Sequence, residues 1–209
     1  MPRPAASSAS RRMAAAPREV RIIGGQWRRT RLPVADRPGL RPTPDRVRET
    51  LFNWLGQDLS GWRVVDAFAG TGALGLEAAS RGAAEVLMVE QDAALIHALR
   101  GLKDRLEAAA VRVQRGDGVA ALNALPPASV DLVLIDPPFD ALALFGPALA
   151  AAARAARADG FVYLEAPAAW DDAALAEAGL TVHRHLKAGA VHAHLLTLSA
   201  SSRQLQDDE

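Results

Sequence analysis

Residues 66–75 (D-A-F-A-G-T-G-A-L-G) constrain the fold more than any other part of the sequence. Glycines at positions 70, 72 and 75 follow an apolar segment and precede a helical one. This G-x-G-x-x-G spacing is typical of a tight strand-to-helix turn that lets a ligand approach the backbone and face a helix N-terminus. The spacing alone fits several nucleotide cofactors, and it also fits glycines that serve only to make the turn.

Apolar strands alternate with helices along most of the chain. We predict strands at residues 63–68, 85–90, 111–115, 130–135 and 161–165, separated by helices at 73–81, 92–108, 118–125 and 142–158. A shorter helix near 170–177 then leads to a hairpin of two strands, 180–186 and 191–198. Continuously apolar strands separated by helices indicate a parallel sheet covered on both faces. The predicted fold is therefore α/β: a doubly wound, mostly parallel sheet with one antiparallel strand.

The chain of 209 residues suits one such domain, residues 61–198, with an N-terminal extension. In residues 20–60 we predict a strand at 20–23 and a helix with Thr43 as its N-cap and Pro44 at its first position. Residues 1–19, rich in Ala, Ser, Pro and Arg, are predicted to be a disordered basic tail, although an organellar transit peptide has a similar composition. Residues 199–209 are predicted to be a flexible tail.

Charge is unevenly distributed along the chain. Residues 1–50 contain 12 arginines, no lysine and 4 acids, a net of +8, whereas the remaining residues carry a net of −8. A basic N-terminal side indicates a polyanionic partner, and the planar arginine fork suits phosphate. The competing interpretation is that arginine simply replaces lysine across an alanine- and arginine-rich proteome.

Composition excludes several classes of protein. The chain has no cysteine, which excludes disulfides, thiolate nucleophiles and cysteine-ligated metals and fits a cytoplasmic setting. No apolar run reaches the roughly 20 residues that a membrane span requires, so we expect no membrane partner. His183 with His185, and His192 with His194, share strand faces at a spacing typical of metal ligands. Imidazoles on an edge hairpin are more often solvated or packed, so we expect no metal.

Three carboxylates lie where successive predicted strands end. Asp66, Glu90 and Asp117 occupy the carboxyl edge, at which open α/β sheets bind ligands. Asp66 would repel a pyrophosphate but could bind the amino group of a methionine moiety, which argues against a dinucleotide. Glu90 could accept both hydroxyls of a ribose, and Asp117 could reach an adenine amino group. Each acid taken alone would more often be a solvated strand end or a helix cap.

The sequence D-P-P-F at residues 136–139 directly follows the fourth predicted strand of the sheet. Its prolines have fixed φ and no N–H donors, so the local backbone presents acceptors. Asp136 adds a carboxylate, and Phe139 offers a face on which a base could stack. Accepting both hydrogens of an exocyclic amine would make its nitrogen more nucleophilic, and the carboxylate would stabilise the positive charge developing there. The alternative is a proline-rich turn that ends a buried strand.

Together these motifs resemble a known family. D-A-F-A-G-T-G-A-L-G-L-E-A and D-P-P-F are similar to class I methyltransferases that use S-adenosylmethionine to modify amino groups. Upstream, V-R-I-I-G-G-Q-W-R-R and R-P-T-P-D-R-V-R-E-T-L-F-N-W-L closely resemble the bacterial 16S rRNA (guanine-N2) methyltransferases of the RsmD type. The resemblance implies a monomeric, seven-stranded, Rossmann-like fold. It also implies methylation of a guanine N2 in 16S rRNA, within an assembling small ribosomal subunit.

The resemblance also assigns residues to roles. The target base would be held by the catalytic residues Asp136, Pro137, Pro138 and Phe139. The cofactor would be bound by Asp66, Phe68, Gly70 and Gly72 around its methionine end, by Glu90 at its ribose, by Asp117 at its adenine, and by Thr43 and Arg46 from the upstream helix. RNA would be contacted by Arg21, Trp27, Arg28, Arg29 and Arg31. Two departures from the family, the N-terminal tail and Pro44 in place of a more common threonine, do not touch this chemistry.

Three other functions remain open from the sequence. A DNA adenine-N6 methyltransferase would use the same motifs, although the sequence offers no further domain to read a DNA site. An NAD-dependent oxidoreductase would use the glycine loop but would leave D-P-P-F without a role. A catalytically silent RNA-binding module would need the basic side but not the intact motifs.

Overall fold

The computed structural model of the protein describes residues 19–34 and 43–207. Residues 19–34, which we call the arm, contain a two-stranded antiparallel sheet of β1 (Glu19–Arg21) and β2 (Arg31–Pro33). The strand predicted at 20–23 is thus one half of a hairpin whose second strand was not predicted. Helix α1 (Asp45–Trp54) follows the arm. The predicted tail at 1–19 lies outside the described residues except for Glu19, which belongs to β1.

The central sheet has seven strands. They are β3 (Arg63–Asp66), β4 (Glu85–Glu90), β5 (Val111–Arg115), β6 (Val130–Ile135), β7 (Ala156–Ala166), β8 (Leu180–Ala188) and β9 (Val191–Leu198). Their order is β5-β4-β3-β6-β7-β9-β8, and β9 is the one strand that runs opposite to the other six. The predicted doubly wound, mostly parallel sheet with one antiparallel strand is therefore confirmed. The bounds of β4, β5, β6 and β9 are the predicted ones.

Helices cover both faces of this sheet. They are α1 with α2 (Ala73–Ser80), α3 (Ala93–Arg105), α4 (Gly118–Asn123), α5 (Phe145–Ala155), α6 (Asp172–Leu175) and α7 (Ala200–Asp207). On one face the arm, α1, α2 and α3 share a core with Val64, Leu134 and Tyr163. On the other face α4, α5 and α6 pack on Val65 and Val133. Alternate residues of one strand thus serve different cores, which is why these strands are apolar throughout.

The helix predicted at 142–158 ends earlier in the structure. A 3₁₀ turn (Leu142–Leu144) precedes α5, and Ala156 already belongs to β7. The alanine-rich sequence favours a helix. Ala156 nevertheless pairs with Val130 of β6, and this sheet pairing prevails over the local preference.

Two helix ends also differ from the prediction. Pro44, and not Thr43, is the N-cap of α1, and this cap makes no side-chain hydrogen bond. The chain after residue 198, predicted to be a flexible tail, forms α7. Ser199 Oγ accepts a backbone N–H of its first turn at 3.3 Å, and Gln206 Nε2 donates to the Ala156 carbonyl at 3.1 Å. The first bond caps the start of α7, and the second fastens its last turn to the start of β7.

Candidate active site

Three acidic side chains meet at the carboxyl edge of the sheet. Asp66 is the last residue of β3, Asp136 follows β6, and Glu165 lies near the end of β7. Ile135 pairs with Leu164 in the parallel β6–β7 register, so Asp136 and Glu165 are the next residues on neighbouring strands. Adjacent strands lie about 4.8 Å apart, and the alternation of side chains directs both acids to the face covered by α1 and α2.

The loop between β3 and α2 permits a close backbone approach. Gly72 is the N-cap of α2 with a φ of +78°, a conformation that L side chains rarely adopt. Gly75 lies in the first turn of α2, where an added Cβ would be 2.8 Å from Met88 Sδ and 3.0 Å from Asp66 Oδ2. These glycines therefore let the N-terminus of α2 lie directly beside Asp66.

Asp66 combines a satisfied oxygen with an unsatisfied one. Its Oδ2 accepts the Gly75 N–H at 2.9 Å, whereas the buried Oδ1 has no hydrogen-bond partner among the described residues. Burial is the main cause that raises the pKa of Asp66 to about 7, and the negative charges of Glu90 and Glu165 add to it. A buried acceptor without a partner costs free energy. A cationic N–H donor placed at Oδ1 would remove that cost.

Glu90 is the last residue of β4, the strand next to β3, and Asp117 lies two residues after β5, the strand beyond it. Glu90 Oε2 accepts the Gly70 N–H at 2.9 Å, and its Oε1 accepts the N–H groups of Gln91 at 2.7 Å and Asp92 at 2.9 Å. Glu90 thereby ties the glycine loop to the turn that starts α3. Asp117 is exposed and is the N-cap of α4, and its Oδ2 accepts Gln91 Nε2 at 3.2 Å. Asp117 therefore has the helix-capping role that the sequence left open, beside the same loop.

The D-P-P-F segment begins directly at this acidic edge. Asp136 and Phe139 are half-buried, Pro137 is buried and Pro138 is exposed. The Pro138 carbonyl already accepts the Ala141 N–H at 2.9 Å. The carbonyls of Asp136 and Pro137 are the other backbone acceptors at the start of the segment.

Thr43 contacts the D-P-P-F segment. It is buried, and its Oγ1 donates to Asp136 Oδ2 across 3.4 Å. Burial raises the pKa of Asp136 well above its usual range, Glu165 and Asp66 raise it further, and the Thr43 hydrogen bond opposes them. Thr43 was predicted to bind the cofactor, and the structure brings it to the Asp136 carboxylate. Arg46, predicted with it, is exposed on α1.

Glu165 was not predicted as a site residue. It is buried, and its Oε1 accepts the Tyr163 hydroxyl at 2.8 Å. Burial raises the pKa of Glu165 to about 7, while Thr43, Tyr163 and Arg48 lower it. An acid at the end of an apolar strand was the signal that could have identified it, because Asp136 occupies the equivalent position on the neighbouring strand.

The predicted RNA-contacting residues lie on the arm. Its exposed arginines are Arg21, Arg28, Arg29 and Arg31. Arg21 pairs with Asp45 and Arg31 with Glu19, each at 3.1 Å. Trp27 is half-buried against the core, so only part of its ring is open to a partner. The exposed side chains of Arg28 and Arg29 are the ones best placed to meet an anionic ligand.

A buried ion pair joins the arm to the helices above the sheet. Arg48 of α1 and Glu77 of α2 are both fully buried, with Nη1 and Oε2 3.3 Å apart. Glu77 also accepts the N–H groups of Ile23 and Gly24 at 2.8 Å each. Arg48 Nη2 donates to the Arg21 carbonyl at 2.8 Å. The arm is thus fixed to the helix that starts at the glycine loop.

The described residues contain neither a metal centre nor a membrane-spanning helix. Across 19–34 and 43–207, no group of three or more His, Cys, Asp or Glu side chains is arranged to hold a metal ion. The hairpin histidines stack instead, with the ring centroids of His185 and His194 4.6 Å apart. Every helix in these ranges is too short or too polar to cross a membrane.

The seven-stranded sheet, its single reversed strand and the glycine loop at its carboxyl edge define a class I methyltransferase fold. The chain belongs to the family described as "Conserved hypothetical protein 95", whose model matches residues 20–197. The RsmD-type resemblance stated from the sequence is consistent with this family and with the relatives found.

Two relatives are both called "Ribosomal RNA small subunit methyltransferase D". The protein of Escherichia coli (strain K12) is 49% identical over 121 residues, which cover 58% of this chain and 61% of that protein. The protein of Haemophilus influenzae is 44% identical over 125 residues, which cover 58% of this chain and 64% of that protein. The matched region therefore spans somewhat less than two thirds of these relatives.

A solved structure extends the match over more of the chain. "Putative methyltransferase yhhF from Escherichia coli" is 36% identical with a TM-score of 0.73, and the match covers 87% of this chain and 99% of that one. "Putative methylase HI0767 from Haemophilus influenzae" is 28% identical with a TM-score of 0.70, over 87% of this chain and 99% of that one. The family model, which matches residues 20–197, includes most of the arm and α1 as well as the sheet.

Proposed function

We propose that this protein transfers a methyl group from S-adenosylmethionine to the exocyclic N2 of a guanine in 16S rRNA. The observation that carries the proposal is the position of Asp136. Its carboxylate lies at the same edge of the sheet as the unpartnered oxygen of Asp66 and the glycine loop. A carboxylate that can accept hydrogen bonds from an amine therefore lies next to a loop and an aspartate that can bind a cationic cofactor.

The residues at the edge fit S-adenosylmethionine. Asp66 Oδ1 is a buried carboxylate oxygen without a partner in the described residues, which suits the ammonium of a methionine moiety. Gly70 and Gly72 keep the loop above it free of side chains. Glu90, at the end of the next strand, would hold the ribose, and Asp117 the adenine. When bound, the cofactor supplies a methyl group on a positively charged sulfur, which needs no metal to activate it.

Asp136 would supply the chemistry on the side of the target base. Its carboxylate and a neighbouring carbonyl would each accept one hydrogen of the exocyclic amine, which orients the nitrogen lone pair. As the nitrogen becomes positively charged, the carboxylate stabilises that charge and accepts the proton that the amine loses. Phe139 would stack on the ring of the base, and buried Pro137 would keep the segment rigid.

The arm supports an RNA substrate. Residues 1–50 carry a net charge of +8, and Arg28 and Arg29 are exposed in the turn of the arm. Arginine binds phosphate through its planar fork. Two relatives named as small-subunit rRNA methyltransferases support this substrate class. We extend the proposal to a monomeric, cytoplasmic enzyme that meets its RNA in an assembling small subunit.

The test is methyl transfer from radiolabelled S-adenosylmethionine by the purified protein. Substrates are small ribosomal subunits from cells that lack the modification, the naked 16S rRNA, and duplex DNA. We expect label in small-subunit RNA, recovered as N2-methylguanine after nuclease digestion. Label in duplex DNA as N6-methyladenine, with none in RNA, would overturn the proposal in favour of a DNA methyltransferase. Cofactor binding without transfer to any substrate would favour a silent binding module.

A further inference from the structure

Two buried residues, Thr43 and Glu165, lie beside Asp136. Thr43 Oγ1 donates to Asp136 Oδ2 at 3.4 Å, from a position 93 residues away in sequence. Glu165 lies beside Asp136 as the in-register neighbour on β7. Both Thr43 and Glu165 are buried, at 4% and 2% exposure, so both lie in the interior of the protein.

We propose that Thr43 and Glu165 are positioning residues for Asp136, which aim its carboxylate at the target amine and keep a single proton between the two acids. The inference rests on the proposed function for the identity of the amine. The structural part of the inference, two acids adjacent by strand register with a threonine hydroxyl bonded to Asp136, is independent of the substrate.

Two neighbouring acids do not both ionise readily, because like charges in a region of low dielectric repel each other. Glu165 has its own donor, the Tyr163 hydroxyl at 2.8 Å, and the buried Arg48 also lowers its pKa. Asp136 has the Thr43 hydroxyl. The target amine requires an acceptor at Asp136, so its binding favours the state in which Asp136 is ionised and the shared proton lies on Glu165, against the partners that favour an ionised Glu165.

The charged and titratable groups around Asp136 come from three elements. Asp66 faces it from β3, and Glu165 with Tyr163 faces it from β7. Arg48 of α1 acts on Glu165 and is itself held by Glu77 of α2 in a buried ion pair. Glu165 is the acid next to Asp136 by strand register, so removing its charge should have the largest effect on the pKa of Asp136.

Removing one or the other of the two positioning residues should shift the pKa of Asp136 in opposite directions. Glu165→Gln removes a like charge but keeps an acceptor for the Tyr163 hydroxyl, so Asp136 should titrate at lower pH. Thr43→Val keeps the shape but removes the donor to the ionised form, so Asp136 should titrate at higher pH. A role limited to packing would give no such pair of opposite shifts.

The experiment is a titration of carboxyl ¹³C resonances in the full chain without cofactor or RNA, with Asp136 assigned by the signal lost in Asp136→Asn. We expect a downward shift of about one pH unit or more in Glu165→Gln and an upward shift in Thr43→Val. Thr43→Ser should restore the wild-type value. Thr50→Val is the matched control, since Thr50 lies on α1, the helix that follows Thr43, and its hydroxyl bonds the Arg46 carbonyl.

An Asp136 titration that is the same in wild type and Glu165→Gln overturns the inference, as do shifts of the same sign in both variants. If Glu165→Gln does not fold, Thr43→Val against Thr43→Ser carries the test alone. Because this titration needs no substrate, its failure is distinct from failure of the proposed methyl transfer. In the active enzyme, the acidic limb of the kcat profile should move with the Asp136 titration in each variant.

Discussion

Substitution of Glu77 is the sharpest test of how the arm is attached. Glu77→Ala leaves the buried Arg48 guanidinium without its partner in α2 and leaves the Ile23 and Gly24 N–H groups without their acceptor. Breaking a buried ion pair by removing one partner costs about 3–5 kcal/mol, because the other charge remains buried. Domains of this kind have about 5–15 kcal/mol of stability in total. The substitution should therefore remove a large part of the free energy of unfolding.

Urea unfolding followed by circular dichroism measures this cost. The matched control is Glu85→Ala, an exposed glutamate whose contact with Arg63 is 3.8 Å long, and it should change stability by less than about 0.5 kcal/mol. The double substitution Arg48→Met with Glu77→Leu should recover only part of the loss, because the nearly buried Arg81, which pairs with Glu77 Oε1 at 2.9 Å, then still lacks its partner. A Glu77→Ala variant within 1 kcal/mol of wild type, on the order of an exposed pair, would refute the reasoning.

Three further predictions follow from single positions. Gly72→Ala should destabilise the protein by about 1–2 kcal/mol or more and weaken cofactor binding in calorimetry. The reason is that φ is +78° and an added Cβ would lie 2.6 Å from a leucine methyl of α3. The control Gly101→Ala, in open space on α3, should stabilise the protein slightly. Arg28→Gln should weaken RNA binding and lower the salt slope of the affinity by about one, whereas Arg100→Gln should not. Asp66→Asn should abolish cofactor binding yet stabilise the free protein at pH 8. The pKa of Asp66 is raised from 3.8 to about 7, so the stability that Asp66 contributes is present below pH 4 and is lost as the pH rises through 7. The free energies of unfolding of wild type and Asp66→Asn should therefore converge near pH 4.

The sheet and the cofactor edge could be predicted because their signals are local. Each central strand is a short apolar run, and β4, β5, β6 and β9 have the predicted bounds. The glycine spacing and the strand-end acids Asp66, Glu90 and Asp117 needed only the rule that ligands bind at the carboxyl edge. The D-P-P-F segment followed a predicted strand directly, so its place at that edge required no long-range information.

Contacts between distant segments could not be predicted in the same way. Thr43 was interpreted as a helix cap because Thr-Pro is a common helix start, whereas its hydroxyl bonds Asp136, which lies 93 residues away. The pairing of Arg48 with Glu77 depends on how α1 packs on α2, and no periodicity encodes it. The start of β7 at Ala156 was missed for a related reason, since an alanine-rich segment pairs with β6 only once the sheet exists.

Single-turnover methyl transfer by Asp136→Asn tests the central claim most directly. With cofactor saturating and bound normally, we expect a rate about 10²-fold or more below wild type, the scale for losing one group that stabilises developing charge. Asp140→Asn, an exposed acid just beyond the D-P-P-F segment, should transfer at the wild-type rate. Equal rates for Asp136→Asn and wild type would contradict the assignment of Asp136 as the acceptor of the target amine.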